Sequence, residues 1–535
     1  MFNHKITGMI LTGTLAACLS VSAFASTSHF NDSSVTGADT GWEDWTKEWP
    51  AVAADFEKVS ITVGADQTQL NFAWYSKAQD DAKVFFGEDK DNLQEFDGES
   101  GEVGKELTGD EQYYFNHVTV TGLEASKTYY YTVQKDGEQT EPAEFKTQAF
   151  DSVKMLYVGD PQVGASKGQP TANSEELAEE SGEANTAAEN DGFAWNRTLN
   201  IALGENPDIN YIISAGDQVN HTGNPKEEEF AAYLNAEKLS GIAQATTIGN
   251  HDSLNPDYGY HFFNPNQTDE GKTEAGGDYY YSYGPGLFIV LNTNNYNVAE
   301  HADTIKKAVE AYPDAKWRIV TIHQDIYGSG LDHSNTDGMI LRTQLTPVFD
   351  ENDIDVVLQG HDHTYSRTKM LKGDGAEHGK YEFRLNEAGD DYDWQHAYNV
   401  DTDEAVTLYA EDGTDMTDDE KAGLDAFTED NKCYTISDVD GNSVDDPDGI
   451  LYMTANSATG SKYYELAETQ QDYVAVRSQN WLPSYSVISL TDSAFSIDTY
   501  QIKDDGTTEK IDDTFTINKT SGETADAAAA TEAQQ

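Results

Sequence analysis

The sequence predicts two folded parts, an all-β sandwich followed by a larger α/β domain. Three observations predict this order. Short strand-like segments recur at regular spacing over residues 51–147, strand and helix patterns alternate over residues 150–367, and β patterns return over residues 449–518. A chain of 535 residues is long enough to bury the cores of at least two domains.

The amino terminus has the pattern of an export signal. Met1–Ala25 combines Lys5, the apolar run Ile10–Leu19 and the small-x-small cleavage site Ala23-Phe24-Ala25. The segment Leu15-Ala16-Ala17-Cys18 also fits a bacterial lipobox, which would make Cys18 a lipid-anchored first residue. Either route places the mature protein outside the cytoplasm, secreted or at the cell surface. No other segment reaches the roughly 20 apolar residues that span a bilayer.

Charge and cysteine content limit the partners and the means of stabilisation. The formal net charge of −63 repels polyanions, so we expect no nucleic-acid docking surface. Cys18 and Cys433 are the only cysteines, so cleavage after Ala25 leaves no internal disulfide. Stability must then come from contacts other than disulfides.

Residues 26–147 divide into a leader and a β domain. Residues 26–50 are mostly polar and include three tryptophans, which predicts an irregular leader packed on the following domain. Residues 51–147 alternate apolar and polar side chains between turns such as Asp136-Gly137, which is typical of a β-sandwich. The predicted strands are Val59–Val63, Gln69–Tyr75, Ala82–Phe86, Tyr114–Val120, Lys127–Gln134 and Glu141–Lys146.

Residues 148–518 form the predicted larger domain. Two segments interrupt its pattern: Gly164–Asp191, predicted to be a solvated loop, and residues 372–447, an acidic insertion long enough for a small subdomain or a flexible lid. Residues 519–535 have no core pattern and are predicted to be a disordered tail. Helical periodicity predicts helices at Phe193–Leu203, Lys226–Leu239, Ala299–Tyr312 and Ile340–Asn352.

Five short segments of this domain place metal-ligating side chains at the ends of apolar runs. Carboxylates, amide oxygens and imidazoles are ligands for hard to borderline metal ions. Delivered from the ends of several strands, they can converge at one edge of a sheet. The segments are Gly159-Asp160-Pro161-Gln162, Gly216-Asp217-Gln218-Val219-Asn220, Gly249-Asn250-His251-Asp252, Val320-Thr321-Ile322-His323 and Gly360-His361-Asp362-His363.

In this order the segments resemble those of the calcineurin-like metallophosphoesterases, and the Tyr327, Ser329 and His333 spacing after His323 resembles the purple acid phosphatase branch. Tyr260-His261-Phe262 also resembles that branch. The resemblance implies a catalytic domain of two β-sheets flanked by helices. Leu123–Tyr131 resembles the tyrosine corner of a fibronectin type III domain, which larger purple acid phosphatases carry before the catalytic domain.

The resemblance also implies a site for two metal ions, which would be Fe, Zn or Mn. It assigns Asp160 and His363 to the first metal and Asp217 to both metals. Two such ions lower the pKa of a bound water and neutralise phosphate oxygens. The ligands assigned to the second metal are Asn250, His323 and His361.

Three further residues are implied to act on the substrate. The family places imidazoles that bind phosphoryl oxygens and protonate the leaving alkoxide at His251 and His333. His333 is the better general acid because its loop contains Gly328 and Gly330 and can close over substrate. Asp252 is expected to orient His251.

Two positions depart from the family pattern. Asn220 stands where purple acid phosphatases have the tyrosine whose phenolate binds Fe(III) and gives the colour, so we expect no Fe(III)–tyrosine site. Gln162 stands where many superfamily members have a metal-binding histidine, and its amide oxygen could still be a ligand. Both residues are therefore included among the candidate metal ligands.

The sequence is thus interpreted as an exported dimetal phosphoesterase that hydrolyses phosphate monoesters through metal-activated hydroxide and a histidine general acid. One alternative is phosphodiester or nucleotide hydrolysis at the same site. Another is a cell-surface binding protein with an idle phosphatase fold. The nearly complete ligand set argues against an idle site.

Overall fold

The computed structural model describes residues 41–79, 81–109, 111–166, 185–331, 333–334, 337–386, 392–410, 414–437 and 441–520. The predicted signal peptide, the lipobox and residues 521–535 of the predicted tail lie outside these ranges. Among the described residues, helices are all too short or too polar to cross a membrane.

The helices of the described chain are α1 (Trp42–Ala53), α2 (Thr186–Glu205), α3 (Glu227–Leu234), α4 (Asp257–His261), α5 (Val298–Ala311), α6 (Asp337–Glu351) and α7 (Asp418–Asp430), with a 3-10 turn at Glu237–Gly241. The strands are β1 (Ser60–Val63), β2 (Gln69–Ser76), β3 (Lys83–Gly87), β4 (Gln94–Asp97), β5 (Glu99–Glu102), β6 (Tyr114–Thr121), β7 (Thr128–Lys135), β8 (Glu138–Gln139), β9 (Ala143–Lys146), β10 (Val153–Val158), β11 (Tyr211–Ser214), β12 (Ala243–Thr246), β13 (Tyr279–Tyr283), β14 (Gly286–Val290), β15 (Trp317–Thr321), β16 (Val356–Gln359), β17 (Tyr365–Thr368), β18 (Met370–Gly373), β19 (Tyr381–Glu382), β20 (His396–Asn399), β21 (Ala405–Thr407), β22 (Tyr434–Ser437), β23 (Ser443–Asp445), β24 (Leu451–Thr454), β25 (Val474–Ser478), β26 (Ser484–Leu490), β27 (Ala494–Ile502), β28 (Thr508–Lys510) and β29 (Phe515–Asn518).

The first nine strands form a sandwich. β1, β2, β6 and β5 make one layer, and β4, β3, β7, β8 and β9 make the other. Phe72 of β2 and Tyr131 of β7 meet in the core with ring centroids 5.1 Å apart. The hydroxyl of Tyr129 accepts a hydrogen bond from the backbone N–H of Glu124 at 2.8 Å, which is a tyrosine-corner contact.

The sandwich is joined to the larger domain by backbone pairing. β1 pairs in parallel with β12, with Thr62 opposite Gln244. The first layer of the sandwich therefore continues into the large sheet of the catalytic domain. The two predicted domains share one sheet and one apolar core, which sequence patterns did not reveal.

Two sheets pack against each other in the larger domain. The large sheet contains β26, β10, β11 and β12, and the smaller sheet has the order β13, β14, β15, β16, β24, β17, β25. Met155 and Tyr157 of β10 lie in the core between the sheets, whereas Leu156 and Val158 pack outward under α2 and α3. This alternation is the period of a strand buried on both faces. α5 and α6 cover the smaller sheet, and the predicted two-sheet sandwich flanked by helices is confirmed.

The prediction of an irregular leader is wrong for residues 42–50, which belong to α1. Trp42, Trp45 and Trp49 lie on one face of α1 and are buried against α2 and α3. The ring of Trp42 packs edge-on against Phe193 at 5.2 Å between centroids. Their spacing of three and four residues is helical, and burial of three indoles stabilises the helix. α1 thus covers the catalytic domain.

The predicted solvated loop over Gly164–Asp191 is wrong at its described ends, and residues 167–184 lie outside the described chain. α2 already begins at Thr186. Asp191 is fully buried and accepts hydrogen bonds from the backbone N–H groups of Gly164 at 2.9 Å and Ser166 at 3.1 Å. These two hydrogen bonds, both accepted by Oδ2, connect α2 to the chain after β10.

The described part of the acidic insertion folds as a small subdomain. β18 pairs with β22, β19–β21 form a separate sheet, and α7 carries Phe427 into a core shared with Ile340 of α6. Of the two alternatives, the described residues fit the subdomain.

The predicted tail begins with anchored residues, because Nζ of Lys519 lies 2.6 Å from Oδ1 of Asp355.

Candidate metal centre and active site

Five strand ends meet at one edge of the two sheets. β10, β11 and β12 are parallel neighbours in the large sheet, and β15 and β16 are parallel neighbours in the smaller sheet. Because the carboxyl ends of parallel strands lie on the same side, the loops after them converge. These loops carry Asp160 and Gln162, Asp217 and Asn220, Asn250, His251 and Asp252, His323, and His361 and His363.

Five of the predicted ligands have left-handed backbone conformations. The φ angles of Asp160, Gln162, Asp217, His361 and His363 lie between +37° and +69°. Such angles are uncommon in non-glycine residues and collect at functional sites, where the surrounding fold maintains them. They turn the chain sharply directly after each strand.

Two glycines let the loops approach each other closely. A Cβ at Gly216 would lie 2.4 Å from Nδ1 of His323, and one at Gly249 would lie 2.0 Å from Oδ1 of Asp217. Any larger residue would displace a predicted ligand. The glycines that precede the ligands are therefore required by packing.

Asp217, Asn250, His323 and His361 form the centre of the site. Nε2 of His323 lies 2.9 Å from Oδ1 of Asn250, 3.5 Å from Oδ2 of Asp217 and 3.1 Å from Nδ1 of His361. Ligand atoms of Asp217, His323 and His361 all lie within 4.8 Å of one another, and the three residues are buried. One cation can therefore contact all of them.

Asp160, His363 and Gln162 lie on the other side of the centre. Nε2 of His363 is 3.7 Å from Oδ1 of Asp160. The backbone N–H of His361 donates to both carboxylate oxygens of Asp160, at 3.1 and 3.0 Å. Gln162 is fully buried, and neither polar atom of its side chain has a hydrogen-bond partner among the described residues. A buried amide without a partner fits a ligand for a bound cation.

Backbone carbonyls orient two of the imidazoles assigned to the metals. Nδ1 of His323 lies 2.9 Å from the carbonyl oxygen of Ala215, and Nδ1 of His363 lies 2.9 Å from that of Lys462. When Nδ1–H donates to these carbonyls, the lone pair of Nε2 faces the carboxylates. The ring of His361 has the opposite orientation to those of His323 and His363. Its Nδ1 faces His323, and its Nε2 lies 3.1 Å from Oδ2 of Asp337.

The buried carboxylates and imidazoles shift one another's pKa values strongly. Burial raises the pKa of Asp160 to about 8. Burial also opposes ionisation of Asp217, but His323 and His251 outweigh it and hold the pKa of that carboxyl below its ordinary value. Burial would lower the pKa of His323, yet Asp217 raises it to about 9. The centre therefore attracts positive charge, as expected of a cation site.

His251 lies beside this centre, but Asp252 does not orient it. Nδ1 of His251 hydrogen-bonds to the carbonyl oxygen of Asn220, and its Nε2 lies 3.9 Å from Oδ2 of Asp217. The carboxylate of Asp252 instead accepts from the backbone N–H groups of Gly249 at 2.9 Å and Gln218 at 3.3 Å. Asp252 turns back to satisfy its own loop, so the expected contact with His251 is wrong.

The backbone of Asn220 makes two hydrogen bonds beside the centre. Its carbonyl accepts from His251, and its N–H donates to Oε2 of Glu229 at 2.8 Å. Ligation by the Asn220 side chain stays a prediction. Glu229, which also accepts from the N–H of His221 at 2.8 Å, is buried on α3 and braces the loop after β11.

His333 lies against the centre, and the residues predicted from the sequence did not include its neighbour Asp337. The rings of His333 and His361 are 3.8 Å apart between centroids. Burial first, and then His361, hold the pKa of His333 well below its ordinary value. Ligand atoms of His333, Asp337 and His361 also lie within 4.8 Å of one another. No motif marked Asp337, because it follows His333 in a polar loop.

A sixth loop, after β24, was also missed. Ser457 donates to the carbonyl oxygen of Asp160 at 3.2 Å, and Thr459 donates to that of Pro161 at 2.7 Å. These bonds hold the loop beside the first metal segment and bring Lys462 next to His363. The strand pattern of β24 could have indicated this loop, because β24 is a parallel neighbour of β16 and ends at the same sheet edge.

The residues present fit two metal ions. Buried carboxylates, imidazole Nε2 atoms turned inward and the unpartnered amide of Gln162 together make a set of oxygen and nitrogen donors. Asp217 contacts both groups, because its Oδ2 lies 3.5 Å from Nε2 of His323 and its backbone carbonyl accepts a hydrogen bond from the N–H of Gln162 at 2.7 Å. Imidazoles and carboxylates together are ligands of transition-metal ions in proteins.

Comparisons with known proteins agree with this description. Residues 154–365 match the family model of the calcineurin-like phosphoesterases, and residues 56–147 match that of the purple acid phosphatase N-terminal domain. Among solved structures, purple acid phosphatase PPD1 from yellow lupin (Lupinus luteus) seeds is 14% identical, with a TM-score of 0.57 over 87% of this chain and 74% of that chain. PhoD is 9% identical, with a TM-score of 0.45 over 86% of this chain and 92% of that chain. Curated protein sequences gave no match.

Residues 154–365 therefore form a domain like that of the calcineurin-like phosphoesterases, and the ligand groups at its sheet edge support a metal-dependent phosphoric ester hydrolase. The preceding β domain matches the purple acid phosphatase N-terminal domain over residues 56–147, and purple acid phosphatase PPD1 shares the fold.

Proposed function

We propose that this protein is an exported dimetal phosphatase that hydrolyses phosphate monoesters. The observation that carries the proposal is the convergence of ligands from five strand ends on one buried centre around Asp217. Export is supported by the pattern of Met1–Ala25. The fold alone would not identify the reaction, whereas this donor set supports it.

Asp160, Gln162 and His363 would hold one ion, Asn250, His323 and His361 would hold the other, and Asp217 would contact both. Two bound cations supply an activated water and neutralise phosphoryl oxygens. The chain's own residues orient the ligands, because carbonyls of Ala215 and Lys462 hold the Nδ1 protons of His323 and His363.

His251 and His333 are the residues proposed to act on substrate. Each ring lies beside a ligand, His251 next to Asp217 and His333 next to His361. We assign His333 to protonation of the leaving alkoxide and His251 to binding of a phosphoryl oxygen. Both positions follow the spacing of the purple acid phosphatase segments.

Metal removal tests the proposal. The purified full chain is analysed for bound metals and assayed with nitrophenyl phosphate and bis-nitrophenyl phosphate. Exhaustive chelation should abolish hydrolysis, and Mn, Zn or Fe(II) should restore it, with the monoester preferred. Full activity after all metal has been removed would contradict the dimetal site, and a preference for the diester would favour phosphodiester hydrolysis.

A further inference from the structure

The loop after β24 brings a lysine into a site otherwise made of carboxylates and imidazoles. The loop is held at its beginning by the bond from Ser457 to Asp160 and later by the bond from the His363 ring to the Lys462 carbonyl. Gln479 donates to the carbonyl oxygens of His363 at 2.8 Å and of Tyr464 at 2.7 Å. Lys462 is therefore built into the site by contacts on both sides.

The ring of Tyr464 fixes where the lysine side chain lies. Nζ of Lys462 is 4.8 Å from the ring centroid of Tyr464. The same ring is 5.0 Å from the ring of His333 and 5.2 Å from that of His363, both edge-on. The ammonium group thus shares one aromatic neighbour with the proposed general acid and with a proposed metal ligand.

Lys462 places a positive charge beside the proposed ligands. A lysine side chain has an ordinary pKa of about 10.4 and is therefore charged at neutral pH. The contact of its backbone carbonyl with the His363 ring and the contact of its Nζ with the Tyr464 ring keep this cation at the site.

A positive charge here needs an anion. No carboxylate of the described residues forms an ion pair with Lys462 within 4.0 Å. Two metal cations at the adjacent centre would repel the ammonium group unless an anion lay between them. A phosphoryl group bound to those metals is that anion, and the net charge of −63 makes a local cation valuable for attracting it.

We propose that Lys462 is a substrate-binding residue whose ammonium group donates to a non-bridging oxygen of the phosphoryl group and favours dianionic monoesters over monoanionic diesters. This inference rests on the proposed function. A charge-assisted hydrogen bond to a dianion is stronger than one to a monoanion, because the Coulomb attraction doubles. The loop after β24 would then contribute to substrate choice.

The test compares Lys462→Met and Lys462→Arg with wild type and with Lys306→Met, which removes the same charge from an exposed position on α5. Lys462→Met keeps the backbone carbonyl that orients His363. All proteins are full chains loaded with the metals found in wild type. The measurements are metal content, kcat/KM for the two nitrophenyl esters and the inhibition constant of inorganic phosphate.

Lys462→Met should bind two metals, lose about 10- to 100-fold in kcat/KM for the monoester and weaken phosphate inhibition similarly. Its loss on the diester should be smaller, and Lys462→Arg should recover part of the loss. Lys306→Met should match wild type.

Unchanged phosphate inhibition and monoester hydrolysis in Lys462→Met would overturn the proposal, as would equal losses on both esters or loss of a metal. If metal-loaded wild type hydrolyses neither ester, the proposed function fails separately. Calorimetric titration of the same proteins with inorganic phosphate then still decides whether Lys462 binds the anion.

Discussion

Nε2 of His361 lies 3.1 Å from Oδ2 of Asp337, on the side of the ring opposite to His323. Both residues are nearly buried. A carboxylate in this position fixes the ring and increases its basicity towards a metal at Nδ1. Asp337 begins α6, so the helix connects the His333 loop to a ligand of the proposed second metal.

We therefore expect Asp337→Asn to weaken binding of one metal by about 10- to 100-fold, with activity restored by excess metal. Metal titrations followed by activity and by metal analysis measure this. Asp303→Asn, an exposed change on α5, is the control. Unaltered affinity in Asp337→Asn would show that the carboxylate does not support the ligand.

Substitutions of the neighbouring residues His361 and His333 should differ in how the loss of activity depends on the leaving group of the ester. His361→Ala should lose metal and activity together, whatever the ester. Because burial and His361 keep the pKa of His333 low, proton donation requires the substrate's charge to raise that pKa. His333→Ala should keep both metals and lose about a hundredfold on alkyl phosphates, but little on nitrophenyl phosphate.

Two other outcomes for His333→Ala are informative. Equal loss on both esters with metals retained would assign His333 to phosphate binding. Loss of a metal would make His333 a ligand, in line with its closeness to Asp337 and His361.

The iron-loaded protein should lack a purple absorbance band. Asn220 stands where purple acid phosphatases have the ligating tyrosine, and its carbonyl is engaged with His251. A visible absorption spectrum of the Fe(III) form measures this. Should a strong band appear, Tyr464 is the residue to test, because its ring lies against His363, and Tyr464→Phe would then remove the band.

A buried ion pair between His301 of α5 and Asp278, which precedes β13, should make stability depend on pH. Nδ1 of His301 lies 2.8 Å from Oδ2 of Asp278, and both side chains are fully buried. Burial would lower the pKa of His301, but Asp278 raises it above 6.5. The stabilisation is therefore fully present below pH 6.5 and is lost as pH rises through the higher folded pKa.

His301→Gln should lower the free energy of unfolding by about 1.5–3 kcal/mol at pH 6, and by less at pH 9. Urea unfolding at both pH values, with identical metal concentrations, measures the difference between variant and wild type. Asp278→Asn should remove the same pH dependence. A difference that is independent of pH would mean that His301 is neutral in the folded protein.

Local patterns were sufficient wherever a site residue directly follows its own strand. Asp160, Asp217, His323, His361 and His363 come after apolar runs, and those runs are the buried parallel strands of the structure. A strand buried on both faces is visible as a continuous apolar segment, and the polar residue that ends it must lie at the sheet edge. The strand patterns by themselves therefore predicted an α/β layer and most of the residues that meet at the candidate centre, and the resemblance of the five segments implied the two sheets.

Only the tertiary structure decided which distant segments complete this centre. Asp337 and Lys462 have no motif of their own, and they enter the site because α6 begins beside His361 and β24 pairs with β16. The helical spacing of Trp42, Trp45 and Trp49 was readable, but α2 and α3 provide the surface that buries them. Contacts between segments far apart in sequence depend on how whole sheets and helices pack, and local periodicity carries no information about that packing.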